Sequence, residues 1–175
     1  MHFRRIVPLA LVAVLALAAA YAATPGAPPA ASPDGAQIES LTGLKGTLNA
    51  GVFKVTSPRN EVPIKVDGWP LSPFMGLTSW AAFETDKKAG TMVMGDFVVF
   101  QDEVAPAMKA ALTHGLEVTA LHNHFVYDEP HVLFMHVGGA GEAAKLAGGV
   151  RALLDAVKAV RAAAQTPATS SGTPP

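Results

Sequence analysis

From Met92 to Phe100 the chain carries its strongest apolar strand run, and at Asp102 the hydrophobic period changes from two residues to between three and four. A strand puts alternate side chains on one face, whereas a helix aligns those three and four apart, so no single element satisfies both periods. The change predicts a strand over about 92–100 and a helix from about Asp102. Val104, Met108, Ala111 and Leu112 form the helix's apolar stripe, Asp102 or Glu103 can cap its start, and Gly115 closes it. Upstream, Leu44–Leu48 and Val52–Val55 flank Asn49-Ala50-Gly51 as a hairpin. Val62–Val66 and Leu77–Phe83 read as further strands, and Pro70 and Pro73 break the pattern between them.

A second helix is expected from about Gly141, with Leu146, Val150, Leu153, Leu154, Val157 and Val160 as its stripe. Gly148 and Gly149 cost it roughly 2 kcal/mol relative to alanine, so it needs tertiary packing, and the glycines can let it approach the sheet closely. Strands joined by tight turns, with two helices, give an α+β domain. The expected architecture is a mainly antiparallel sheet with both helices packed on one face, in β-β-α-β-β-α order from Leu77 onward.

The ends of the chain have a different composition. Arg4 and Arg5 precede an apolar run from Ile6 to about Ala20, and Ala20-Tyr21-Ala22 offers small residues for cleavage, so residues 1–22 read as a secretory signal peptide. An uncleaved N-terminal anchor is the alternative, because the run is about as long as the shortest membrane span. Residues 23–36 read as a Pro/Ala linker and 165–175 as a tail, both expected to be disordered, and 37–164 as a single domain. The chain has no cysteine, which removes both disulfides and a lipoprotein acylation site and leaves the core to hold the fold. Without the leader, 11 Lys+Arg stand against 14 Asp+Glu, a formal charge of −3 that argues against nucleic acid as a partner.

Chemistry concentrates in the segment Glu117-Val-Thr-Ala-Leu-His-Asn-His124 and its return, Val132-Leu-Phe-Met-His136. As strands of one hairpin, they put His122 and His124 on one face, and the antiparallel return can bring His136 opposite them. Three neutral imidazoles are the protein ligand set of an open zinc-type site, so His122, His124 and His136 are the expected metal ligands and Zn2+ the expected ion. Met92, Met94, Met108 and Met135 raise copper, but methionine at strand spacing is ordinary core filler. Asp96 interrupts an apolar strand and is therefore either at an exposed edge or functional. Glu103 sits at a helix start, where its ordinary role is capping. Glu117 falls on the face opposite His122 unless a bulge reverses it.

The runs Gly51-Val-Phe-Lys-Val55, Val66-Asp-Gly68, Thr78-Ser-Trp-Ala-Ala-Phe83, Met92-Val-Met-Gly-Asp-Phe97, Asp102-Glu-Val104, Glu117 to His124 and Phe134-Met-His136 resemble the LppY/LpqO family. The resemblance covers about Leu41 to Leu154 and implies a secreted bacterial protein of a family without an established biochemical function. Some of its members are lipoproteins, and this chain departs from them in lacking the lipobox cysteine. Three readings follow from the residues. One is a module binding a metal ion or small polar ligand; another is a metal-dependent hydrolase in which Glu103 or Glu117 activates water; the third is a cell-envelope interaction domain with core histidines. The binding module leads because no acid has a forced geometric relation to the histidines. Secretion or a periplasmic location, with no stable membrane anchor once the leader is cleaved, follows from the leader.

Overall fold

The structure is a computed structural model that describes residues 32–165, apart from 87 and 89. The expected signal peptide, residues 23–31 of the expected linker and residues 166–175 of the expected tail lie outside the described residues. No helix among the described residues is long and apolar enough to cross a membrane.

The chain folds as an α+β unit around a six-stranded sheet with antiparallel neighbours throughout, in the order β1-β2-β5-β6-β9-β7. These strands are β1 (Gly46–Asn49), β2 (Val52–Pro58), β5 (Thr78–Asp86), β6 (Gly90–Phe100), β7 (Glu117–Asn123) and β9 (Val132–Gly141). A second sheet of three short strands, β3 (Ile64–Val66), β4 (Trp69–Leu71) and β8 (Asp128–Glu129), runs in the order β4-β3-β8. Three helices are described: α1 (Gly35–Thr42), α2 (Val104–Thr113) and α3 (Ala143–Gln165). From β5 onward the order is β-β-α-β-β-α, with the two-residue β8 added inside the histidine hairpin.

Two elements differ from the sequence reading. Helix α1 starts inside the segment expected to be linker: the Asp34 carboxylate accepts a hydrogen bond from the Gln37 N–H at 3.1 Å, and Gly43 closes the end in the left-handed region at φ 71°. A helix of 8 residues is too short to stand alone, and what holds this one is Ile38, fully buried in the main core. Pro70 does not break β4 either. It pairs with Lys65 on an edge strand, where the missing N–H can face away from the ladder.

All three helices share one face of the large sheet. Ile38, Ala107, Ala111, Leu146, Val150 and Leu153 close over Phe53, Phe83, Val93, Phe97, Met135 and Val137. Each large apolar side chain buried there contributes about 1.5–3 kcal/mol. In α3 the glycine pair splits in function. A side chain at Gly149 would stand 2.9 Å from Leu116 and 3.1 Å from the His114 carbonyl, whereas Gly148 meets nothing within 4 Å. The close approach is thus to the turn between α2 and β7.

Among the described residues the opposite face is covered at one end only. Val98, Phe100, Val132 and Phe134 pack with Ile64 and Leu77 beneath the small sheet. Further along β6 the same face carries the exposed Met92 and Met94. The boundary between the covered and open halves falls on the Asp96↔His136 pair, between Val98↔Phe134 and Met94↔Gly138.

Candidate metal centre

At that boundary three side chains converge: Asp96 from β6, His136 from β9 and His122 from β7. Their potential ligand atoms all lie within 4.8 Å of one another. Strand register causes the meeting. Asp96 pairs directly with His136, and on the other side of β9 His136 pairs with Ala120, two residues from His122, so all three stand on one face.

The hydrogen bonding sets the chemistry of each ring. His122 Nδ1 lies 3.0 Å from the Asn123 carbonyl, which can only accept, so the Nδ1 proton is donated there and the Nε2 lone pair faces the cluster. His122 Nε2 is 3.1 Å from His136 Nε2, and the two rings meet edge to face at 84°. Two nitrogens each about 2.0–2.1 Å from one ion are roughly 2.9–3.4 Å apart as the angle at the ion opens from square to tetrahedral. The observed separation falls inside that range. His136 Nε2 is also 3.6 Å from Asp96 Oδ1.

Asp96 Oδ1 is buried and accepts no hydrogen bond from the described residues. A buried carboxylate oxygen without a partner is costly and calls for an explanation. If the two imidazoles merely bonded each other, His136 would donate its Nε2 proton to His122 and leave Asp96 Oδ1 orphaned. A cation between the three groups would use all three lone pairs together.

Of the expected histidines, the structure brings His122 and His136 together and leaves His124 outside the converging group, its ring centroid 6.5 Å from that of His122. β7 ends at Asn123, and the His124 ring stacks on Phe134 at 4.1 Å between centroids, with Phe125 against its edge. A side chain at Gly76, whose φ is 119°, would come within 3.6 Å of His124 Nε2, so the imidazole is packed against this turn. Strand alternation cannot carry His124 into the cluster once the strand has ended. Asp96 supplies the third group instead. The one signal for it in the sequence is a carboxylate inside an apolar strand, whose partner in the register cannot be read locally.

The two acids expected near the histidines have different fates. A bulge lies between Val118 and Ala120, so Val118 packs toward the helices while Ala120 and His122 face the other side. This same bulge pairs Glu117 with Gly138, on the histidine face, yet Glu117 is exposed and stays out of the converging group. Glu103 is fully buried, and both its oxygens are taken. Arg59 donates to them from Nη1 and Nη2 at 2.9 Å each, the Phe100 N–H donates at 2.8 Å, and Arg161 Nε approaches at 2.5 Å. Its side chain makes no helix cap. A carboxylate so fully engaged has no free lone pair for activating water. The sequence reading missed Arg59 as its partner, because 44 residues separate them.

His131 and Asp128 form a satellite pair on the same hairpin. Burial pushes the Asp128 carboxyl up, but hydrogen bonds from the Val132 N–H at 2.7 Å and from His131 Nδ1 at 2.9 Å outweigh it and hold the carboxyl below its ordinary value.

The chain belongs to the family described as Domain of Unknown Function (DUF1259), whose model matches residues 36–156. No curated protein and no solved structure matches it.

Proposed function

We propose that the protein is an extracytoplasmic metal-binding domain that holds one divalent first-row ion between Asp96, His122 and His136. The observation that carries this reading is the buried, unpartnered Asp96 Oδ1 beside two imidazole Nε2 atoms 3.1 Å apart. Two histidines and one carboxylate suit Zn2+ and leave a coordination position for water or a small polar ligand. The same donor set also serves non-haem iron. Zinc is the ion we assign, since it needs no redox partner and takes this N2O set in a tetrahedral site.

Binding ranks ahead of hydrolysis for a specific reason. Glu103 is locked between two arginines and Glu117 does not join the cluster, so neither expected acid is placed as a base beside the ion. The leader-like N-terminus and the LppY/LpqO resemblance support a secreted or periplasmic protein without a stable membrane anchor. Mass spectrometry of that fraction should find the chain starting near Ala23, and an intact N-terminus in a membrane pellet would overturn the location.

Metal uptake by untagged protein tests the site. Calorimetry at neutral pH should give one Zn2+ per chain, with Fe2+, Cu2+ and Mn2+ as competitors. The reading fails if no divalent ion binds, or if His122→Ala binds zinc as tightly as the unsubstituted protein.

A further inference from the structure

A second site lies away from the histidines, where the large sheet comes apart. β5 and β6 pair only as far as Trp80↔Asp96, and beyond that point β6 pairs with β9 alone. Side chains replace the missing ladder. The Val98 N–H donates to Ser79 Oγ at 2.9 Å, and Arg59 Nη1 donates to the Val98 carbonyl at 2.6 Å. Between the parted strands and the last turns of α3 is a cleft of about 370 Å³.

The cleft has two kinds of wall. Phe97, Leu154 and Val157 make an apolar side. Arg59, Lys158 and Arg161 bring three cations to the other side. Glu103 beneath and Glu61 at the rim neutralise two of those charges, Glu61 through a 2.5 Å contact with Arg59 Nε. Asp102, the other carboxylate on Arg161, is largely solvent-exposed on the outside. Lys158 has no ion-pair partner among the described residues. Arg59 Nε and Arg161 Nε are buried and make no aligned hydrogen bond, although each touches a carboxylate. With Asp102 counted, three carboxylates balance the three cations, and what the wall keeps open among the described residues is two buried N–H donors without an aligned hydrogen bond and the unpaired Lys158 ammonium.

We infer that this cleft is a binding site for a small amphipathic monocarboxylate, its apolar body against Phe97, Leu154 and Val157 and its carboxylate on Lys158 and the arginine edge. A monoanion that displaces Glu61 from Arg59 replaces one carboxylate charge by another, whereas a doubly charged phosphate would bring a second charge against Glu103 and Asp102. The volume falls at the small end of ligand pockets and suits a molecule of about ten to fifteen non-hydrogen atoms. Glu61 is 34% exposed and occupies the place on Arg59 Nε that a ligand carboxylate would take, so it acts as a displaceable stand-in. The site is independent of the metal centre and does not rest on it.

Calorimetric titration of untagged protein with decanoate, and with 1-decanol as the neutral control, tests the inference. Decanoate should bind at least about tenfold more tightly than decanol, the scale of one hydrogen bond to a charged group. Lys158→Gln should weaken decanoate about fivefold and leave decanol unchanged. Ala162→Phe, which fills the cleft from the exposed face of α3, should abolish both, with circular dichroism showing the fold intact. His122→Ala, and metal removal by chelator, should change nothing. The inference is overturned if neither compound binds, if the two bind equally, or if Ala162→Phe leaves decanoate binding intact. Loss of binding on chelation would also overturn it, because the carboxylate would then be sitting on the metal.

Discussion

The two polar clusters of this domain, Asp96–His122–His136 on the sheet's open face and Arg59–Glu103–Arg161 beside α3, each hold one carboxylate, under opposite conditions. Glu103 is fully buried and has a partner for both oxygens, whereas Asp96 is only partly buried yet keeps an oxygen with none. Burial by itself therefore does not separate structure from function here. A closed set of hydrogen bonds around a carboxylate spends its charge on holding the chain together; an open set keeps a lone pair for something that the described residues do not supply.

The largest effect should come from breaking the closed set. Glu103→Gln leaves Arg59 and Arg161 buried without their shared anion and should cost about 3–5 kcal/mol, the usual result of removing one partner of a buried pair. Urea unfolding would measure it, and a loss below about 1 kcal/mol would mean that Glu103 is not holding the arginines. Metal affinity in the same variant should be unchanged if the domain stays folded.

The open set should behave in the reverse way. Asp96→Ala should lower zinc affinity by at least about 100-fold while costing little stability, since Asp96 Oδ1 accepts no hydrogen bond from the described residues. His124→Ala sharpens the contrast within the hairpin. It should leave zinc affinity within about threefold and cost about 0.5–1.5 kcal/mol through loss of the stack on Phe134. Equal losses of zinc in the two variants would restore His124 as a ligand and remove the distinction.

The smallest effect concerns Asp128, whose hydrogen bonds make it a local version of the closed set. Its carboxyl titrates below its ordinary value when folded, so its contribution is complete above that ordinary value and is lost as pH falls through the folded one. Asp128→Asn should therefore be less stable than the unsubstituted protein at neutral pH, and the difference should shrink as both are acidified below about pH 4. Thermal unfolding across that range checks the sign; a difference that grows on acidification would contradict it.

Much of this was readable locally. The period change at Asp102 placed β6 and α2, and the alternation in 117–123 and 132–136 placed the hairpin that carries His122 and His136. Helix α1 and strand β4 were missed because each is short and owes its existence to packing, Ile38 in one case and pairing with β3 in the other. Strand periodicity extends to His124 only if β7 runs one residue beyond its actual end at Asn123, and the bulge at Val118/Ala120 leaves no local mark in the sequence.

The amino-acid order by itself determined where the chain alternates and where it coils, because side-chain period depends on neighbours a few residues away. It also put His122 and His136 on the two arms of one hairpin, while the expected third imidazole, His124, does not join them. Only the tertiary structure decided that Asp96 would complete their site and that Glu103 would be sealed between Arg59 and Arg161. Those pairings join residues far apart in the chain, 44 apart for Arg59 and Glu103, and they depend on sheet register and helix docking, which the whole core fixes and no local window contains.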